Sequence, residues 1–94
     1  MKYVVGIVPP SALEMVQSGL GAAEIFRLTI SEVEVVRPSE EVPPGGLARG
    51  LRVEIAVNDE FLAPAIGAFQ RAKDAGYPVT VSVLPLEEIG RAHV

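Results

Sequence analysis

Leu51 to Val57 places Leu51, Val53, Ile55 and Val57 on one side of a strand and Arg52 and Glu54 on the other. Such a period of two belongs to a strand with one buried face. It returns in Val79 to Leu84 (VTVSVL), and Pro85 ends that strand. Between the two, Phe61, Ala65, Ala68, Phe69 and Ala72 follow helical spacing. Asn58 or Asp59 is placed to cap a helix that runs to about Asp74, with Pro64 costing one hydrogen bond in its first turns. Ala75-Gly76-Tyr77-Pro78 makes the turn. A strand, a helix and a strand in this order constrain the C-terminal half to a β-α-β unit.

The N-terminal half repeats the order. Lys2 to Val8 (KYVVGIV) is apolar on both faces, as a central strand should be, and Pro9-Pro10 ends it. Ser11 and Glu14 have capping-box spacing, which predicts a short helix near Ala12 to Leu20 stopped by Gly19 and Gly21. Ile25 to Val36 reads as a long strand whose phase changes: Phe26, Leu28 and Ile30 are followed by Val33 and Val35. Side chains alternate along a strand, so the change requires either a bulge or a switch in which face is covered. Arg37 to Gly50 has three prolines, three glycines and no period, and is expected to be a loop. The β-α-β-β-α-β order predicts a ferredoxin-like α+β domain over residues 1–94, with four antiparallel strands and both helices on one face. Arg27, Thr29, Ser31, Arg52, Glu54, Thr80 and Ser82 fall on the other face.

Composition narrows the function. Of 94 residues, 49% are apolar and 21% are charged. This is too hydrophobic for a disordered chain and more apolar than so small a core can hide, which predicts oligomerisation. A net charge of −4 disfavours a sequence-independent grip on nucleic acid, and zero cysteines exclude disulfides and cysteine catalysis. Met1 to Val8 lacks the charge and cleavage pattern of a signal peptide, and no run approaches the roughly 20 residues of a membrane span. A cytoplasmic protein without membrane insertion is expected. No metal-ligand cluster, Ser-His-Asp set or glycine-rich phosphate loop stands out, so neither an enzyme nor a metal site is predicted.

Several short patches together resemble the PII signalling family. Leu28-Thr29-Ile30-Ser31-Glu32-Val33 is similar to its second-strand signature. Leu13-Glu14 matches its first helix, Val53 to Glu60 its third strand and the start of its second helix, and Val83 to Glu88 its closing strand and turn. The resemblance implies a non-enzymatic homotrimer that senses a small-molecule effector, such as AMP, ADP, ATP or a cyclic nucleotide, in clefts between subunits. It implies ligand contacts at Ile7, Leu28, Thr29, Val36, Arg37, Ala56 and Arg91. It also implies a mobile loop, here 37–50 with Arg37, Glu40, Glu41 and Arg49, that docks on a membrane transporter or an enzyme. The alternative is an adaptor trimer that keeps the scaffold without the ligand.

The chain departs from the family in three places. Val35-Val36-Arg37-Pro38-Ser39 replaces a glycine-rich run ending in the glutamine that helps hold magnesium and 2-oxoglutarate. Asp74-Ala75-Gly76-Tyr77-Pro78 stands where the family has a phosphate-cradling Gly-Asp-Gly-Lys loop, and His93 stands where a second tail arginine would be. The charged residues also have plainer readings. Arg37, Arg49 and Arg52 can pair with Glu40, Glu41 and Glu54, and Glu32 and Glu34 can form cross-strand ion pairs.

Overall fold

A computed structural model describes residues 1–35 and 48–86. The elements are β1 (Lys2–Val8), a 3₁₀ turn (Pro10–Ala12), α1 (Leu13–Ala22), β2 (Thr29–Val35), β3 (Ala48–Val57), α2 (Asp59–Asp74) and β4 (Thr80–Pro85). The strands form one sheet in the order β2-β3-β1-β4, and every neighbouring pair is antiparallel. The two helices lie on one face, giving the expected ferredoxin-like arrangement.

The core lies between that face and the helices. Val4 and Val8 of β1 and Val53, Ile55 and Val57 of β3 meet Val16 and Leu20 of α1 and Ala65, Ala68, Phe69 and Ala72 of α2. Phe69 is the largest fully buried side chain. Its ring lies directly over Gly6, where a Cβ would stand 2.7 Å from Cδ1 and 2.8 Å from Cζ. Burying a side chain of this size contributes roughly 1.5–3 kcal/mol, and it requires a strand position with no side chain of its own.

The glycines of α1 have a different role from the one expected. The helix runs through Gly19 and Gly21 to Ala22. A Cβ on Gly19 would sit 3.0 Å from the Cβ of Ala68, so this glycine sets the close approach of α1 to α2. The stop comes later. The amide of Ile25 donates to the Leu20 carbonyl at 2.9 Å and that of Glu24 to Gly21 at 2.9 Å, with Glu24 at φ 64°. This is a Schellman cap built on a residue with a Cβ. It takes up the start of the long strand expected from Ile25, so β2 begins only at Thr29. Ile25 itself is buried in the core.

The capping box is not formed. Pro10–Ala12 makes a 3₁₀ turn in which the Ala12 amide donates to the Pro9 carbonyl at 3.0 Å, and Ala12 becomes the N-cap without a side-chain cap bond. Glu14 stays in the first turn, where a negative charge suits the helix dipole. Asn58 is the N-cap of α2, again without a side-chain cap bond, and α2 continues past Pro64 to Asp74 as expected.

Two substitutions test this account. Gly6→Ala is expected to lower unfolding stability by about 1–3 kcal/mol through overpacking, with partial recovery in Gly6→Ala/Phe69→Leu; urea titration reads both. Glu24→Gly is expected to raise stability by about 1 kcal/mol, because glycine occupies the left-handed region without the Cβ clash. An unchanged urea midpoint in Glu24→Gly would refute the cap assignment.

Candidate functional site

The second face of the sheet is not covered by helices, and the strand registers fix what it displays. Ser31, Arg52, Ile7 and Thr80 form one cross-strand row, and Thr29, Glu54, Val5 and Ser82 form the next. Beyond them, Ala56, Tyr3 and Leu84 make an apolar row. At the opposite end, Val33 faces Gly50 and Val35 faces Ala48. The face is thus a polar band between two apolar ends. Tyr3, Val5 and Ile7 are half-buried, and Leu84 is 43% exposed.

The phase change in β2 follows from this geometry. Pairing runs without a break from Thr29 opposite Glu54 to Val35 opposite Ala48, so no bulge is present and the covered face switches. Ile30 lies opposite the core residue Val53. β1 ends with Val8 opposite Leu51, and Leu51 is also opposite Glu32. The hairpin beyond that point runs past the end of β1, and its helix-side positions carry Glu34 and Arg49. Its apolar residues turn to the open face, where a Cβ on the buried Gly50 would lie 2.8 Å from Val35 Cγ2 and 3.6 Å from Ile7 Cγ2.

Arg52 Nε donates to Glu54 Oε1 at 2.7 Å, forming an ion pair two residues apart on the same strand face. This is the plainer of the two readings for Arg52. The Arg52 side chain is 46% exposed, so the pair adds little to the stability of a single subunit.

Of the candidate ligand residues, Ile7, Thr29 and Ala56 share the open face. Thr29 opposes Glu54 and is a diagonal neighbour of Ala56. Ile7 lies at the other end of the polar band, about 13 Å along the strand direction from the row that holds Ala56. Leu28 does not join them, because it precedes β2 and packs against the core. Val36, Arg37, Glu40, Glu41, Arg91 and His93 lie outside the described residues. Arg49, expected in the docking loop, belongs to β3 opposite Glu34, so the loop expected over 37–50 gives way to strand at Ala48.

A separate groove of about 360 Å³ lies between α2 and β4, lined in part by Ile66, Phe69, Lys73 and Thr80; it holds none of the candidate ligand residues. Sequence reasoning picked out Val33 and Val35 by the change of phase but did not place Tyr3 and Leu84 on the open face. The signal was faint, because β1 is apolar at both odd and even positions. Among the described residues, no group of three or more His, Cys, Asp or Glu could hold a metal ion. No helix among them is long and apolar enough to cross a membrane.

No protein-family profile matches the chain. It is 38% identical to nitrogen regulatory protein GlnK1 of Methanosarcina mazei, in an alignment that covers 97% of this chain and 88% of the relative. The chain belongs to the PII family of nitrogen regulatory proteins. The alignment extends over 105 residues whereas this chain has 94, so the relative carries residues that this PII protein lacks. Fold and identity together make it a regulatory protein by descent.

Gly50→Ala tests the packing on the open face. The added methyl must displace the stiff, β-branched Val35, with an expected stability loss of about 1–3 kcal/mol by urea titration. Gly50→Ala combined with Val35→Ala should recover part of that loss.

Proposed function

We propose that this PII protein is a homotrimeric sensor. It binds a small metabolite of the adenine nucleotide class in clefts between subunits and signals occupancy through the segment between β2 and β3 to a transporter or enzyme. The observation that carries the reading is the bare sheet face with apolar ends, which a second and third copy would cover. Thr29 and Ala56 adjoin on that face, whereas Ile7 lies about 13 Å away along the strand direction. A cleft that draws on two subunits suits that spacing.

In the test, light scattering gives the mass and calorimetry follows titration with AMP, ADP, ATP and cyclic AMP, each with and without bicarbonate. The expected result is three times the chain mass, micromolar binding of one nucleotide, and loss of that binding in Arg91→Ala. Val5→Asp places a charge in the centre of the open face and should yield a monomer. A monomeric wild-type protein would overturn the trimer. A trimer that binds none of the nucleotides supports the second reading, a scaffold without ligand. The turn after α2, whose amides are all paired within the chain or missing, favours this second reading.

A further inference from the structure

α2 ends in a complete Schellman cap. The Gly76 amide donates to the Lys73 carbonyl at 3.0 Å and the Tyr77 amide to the Ala72 carbonyl at 3.2 Å, with Gly76 at φ 102°. The Ala75 amide donates to Arg71 at 3.1 Å. Pro78 follows and has no amide hydrogen. Every backbone donor from Ala75 to Pro78 is therefore used or missing. An anion cradle needs several free amides converging on one point.

The electrostatics work in the same direction. The turn sits at the C-terminal end of a 16-residue helix, the negative pole of its dipole. Asp74 adds a carboxylate there, held by the Gln70 side-chain amide at 2.9 Å. Arg71 and Lys73 in the last turn are the counter-charges such a helix end calls for. Gly76 is spent on the left-handed cap position, and Tyr77 packs against the core instead of opening toward solvent.

We infer that the α2–β4 turn of this protein is a closed helix cap that holds no phosphate, so that its effector site does not favour ligands by the number of their phosphates. This rests on the sensor reading for the existence of the site and narrows its ligand.

The experiment uses the full-length protein, labelled with ¹⁵N, and titrates it with adenosine, AMP, ATP and inorganic tripolyphosphate. The amide resonances of Ala75, Gly76 and Tyr77 are followed together with the affinities. These amides are expected to stay unmoved by tripolyphosphate and slow to exchange with solvent, and ATP should bind no more than about threefold tighter than AMP. Movement of the three amides on adding tripolyphosphate, or a gain of about tenfold or more from AMP to ATP, would overturn the inference while upholding the sensor. If no nucleoside ligand binds and the amides stay unmoved, the closed cap stands and the nucleotide sensor falls.

Discussion

The contact between the Phe69 ring and the backbone of Gly6 sets the separation of the two layers. α2 presents Ala65, Ala68 and Ala72 beside that one large side chain, so the helix can lie close to the sheet only where a ring finds space between strands. Gly6 supplies that space in β1, one of the two interior strands. Gly19 does the same between the helices, against Ala68, the neighbour of Phe69. Two positions without a Cβ thus fix how α1, α2 and the sheet pack around one aromatic ring. Interiors are close-packed, so neither position tolerates the addition of even a methyl group without movement elsewhere.

Both helices lie on one side, so the other side of the sheet must be solvated or covered by another copy. Its polar band, with Arg52 and Glu54 paired at its centre, is flanked by apolar rows. An entirely solvated face has no need for Val33 and Val35 there. Their placement follows from the hairpin outrunning β1: past Glu32 the helix side has no core to join, so the charges stand there and the valines turn away. The change of phase in β2 marks the point at which the strand leaves its own core and turns its apolar side chains to the open face.

The legible parts of the fold were those where one side-chain period had one cause. Leu51 to Val57 alternates because one face is buried, and α2 reads cleanly because its small apolar residues recur on one stripe. Gly19 and Gly21 misled because glycine serves both helix ends and close approaches, and only the presence of Ala68 across the interface decides between them. The true stop at Glu24 carries no composition signal, since glutamate is uncommon in the left-handed region. Ser11 misled because the preceding prolines favoured a 3₁₀ turn that satisfied the Ala12 amide first. Arg49 and Gly50 read as loop because a strand that leaves its core loses its alternation. At the candidate site, Ile7, Thr29 and Ala56 were found through family resemblance, whereas their common face follows from the register alone.

The two Schellman caps show how one local device can serve different ends. After α1 it is built on Glu24 with backbone strain, and it delivers Ile25 to the core before β2 begins. After α2 it is built on Gly76 without that strain, and it delivers Tyr77 to the core before β4. A turn that must bind an anion has to leave its amides unpaired, which weakens the end of the helix before it. The second turn uses those amides to terminate α2 and adds Pro78, which fixes φ and offers no donor. Both choices stabilise the subunit and leave this turn without free amides for an anion. In the proposed sensor, ligands would then be told apart elsewhere: by the open-face side chains, through van der Waals contact and single hydrogen bonds to a base or sugar, and by any groups a neighbouring copy would bring to them.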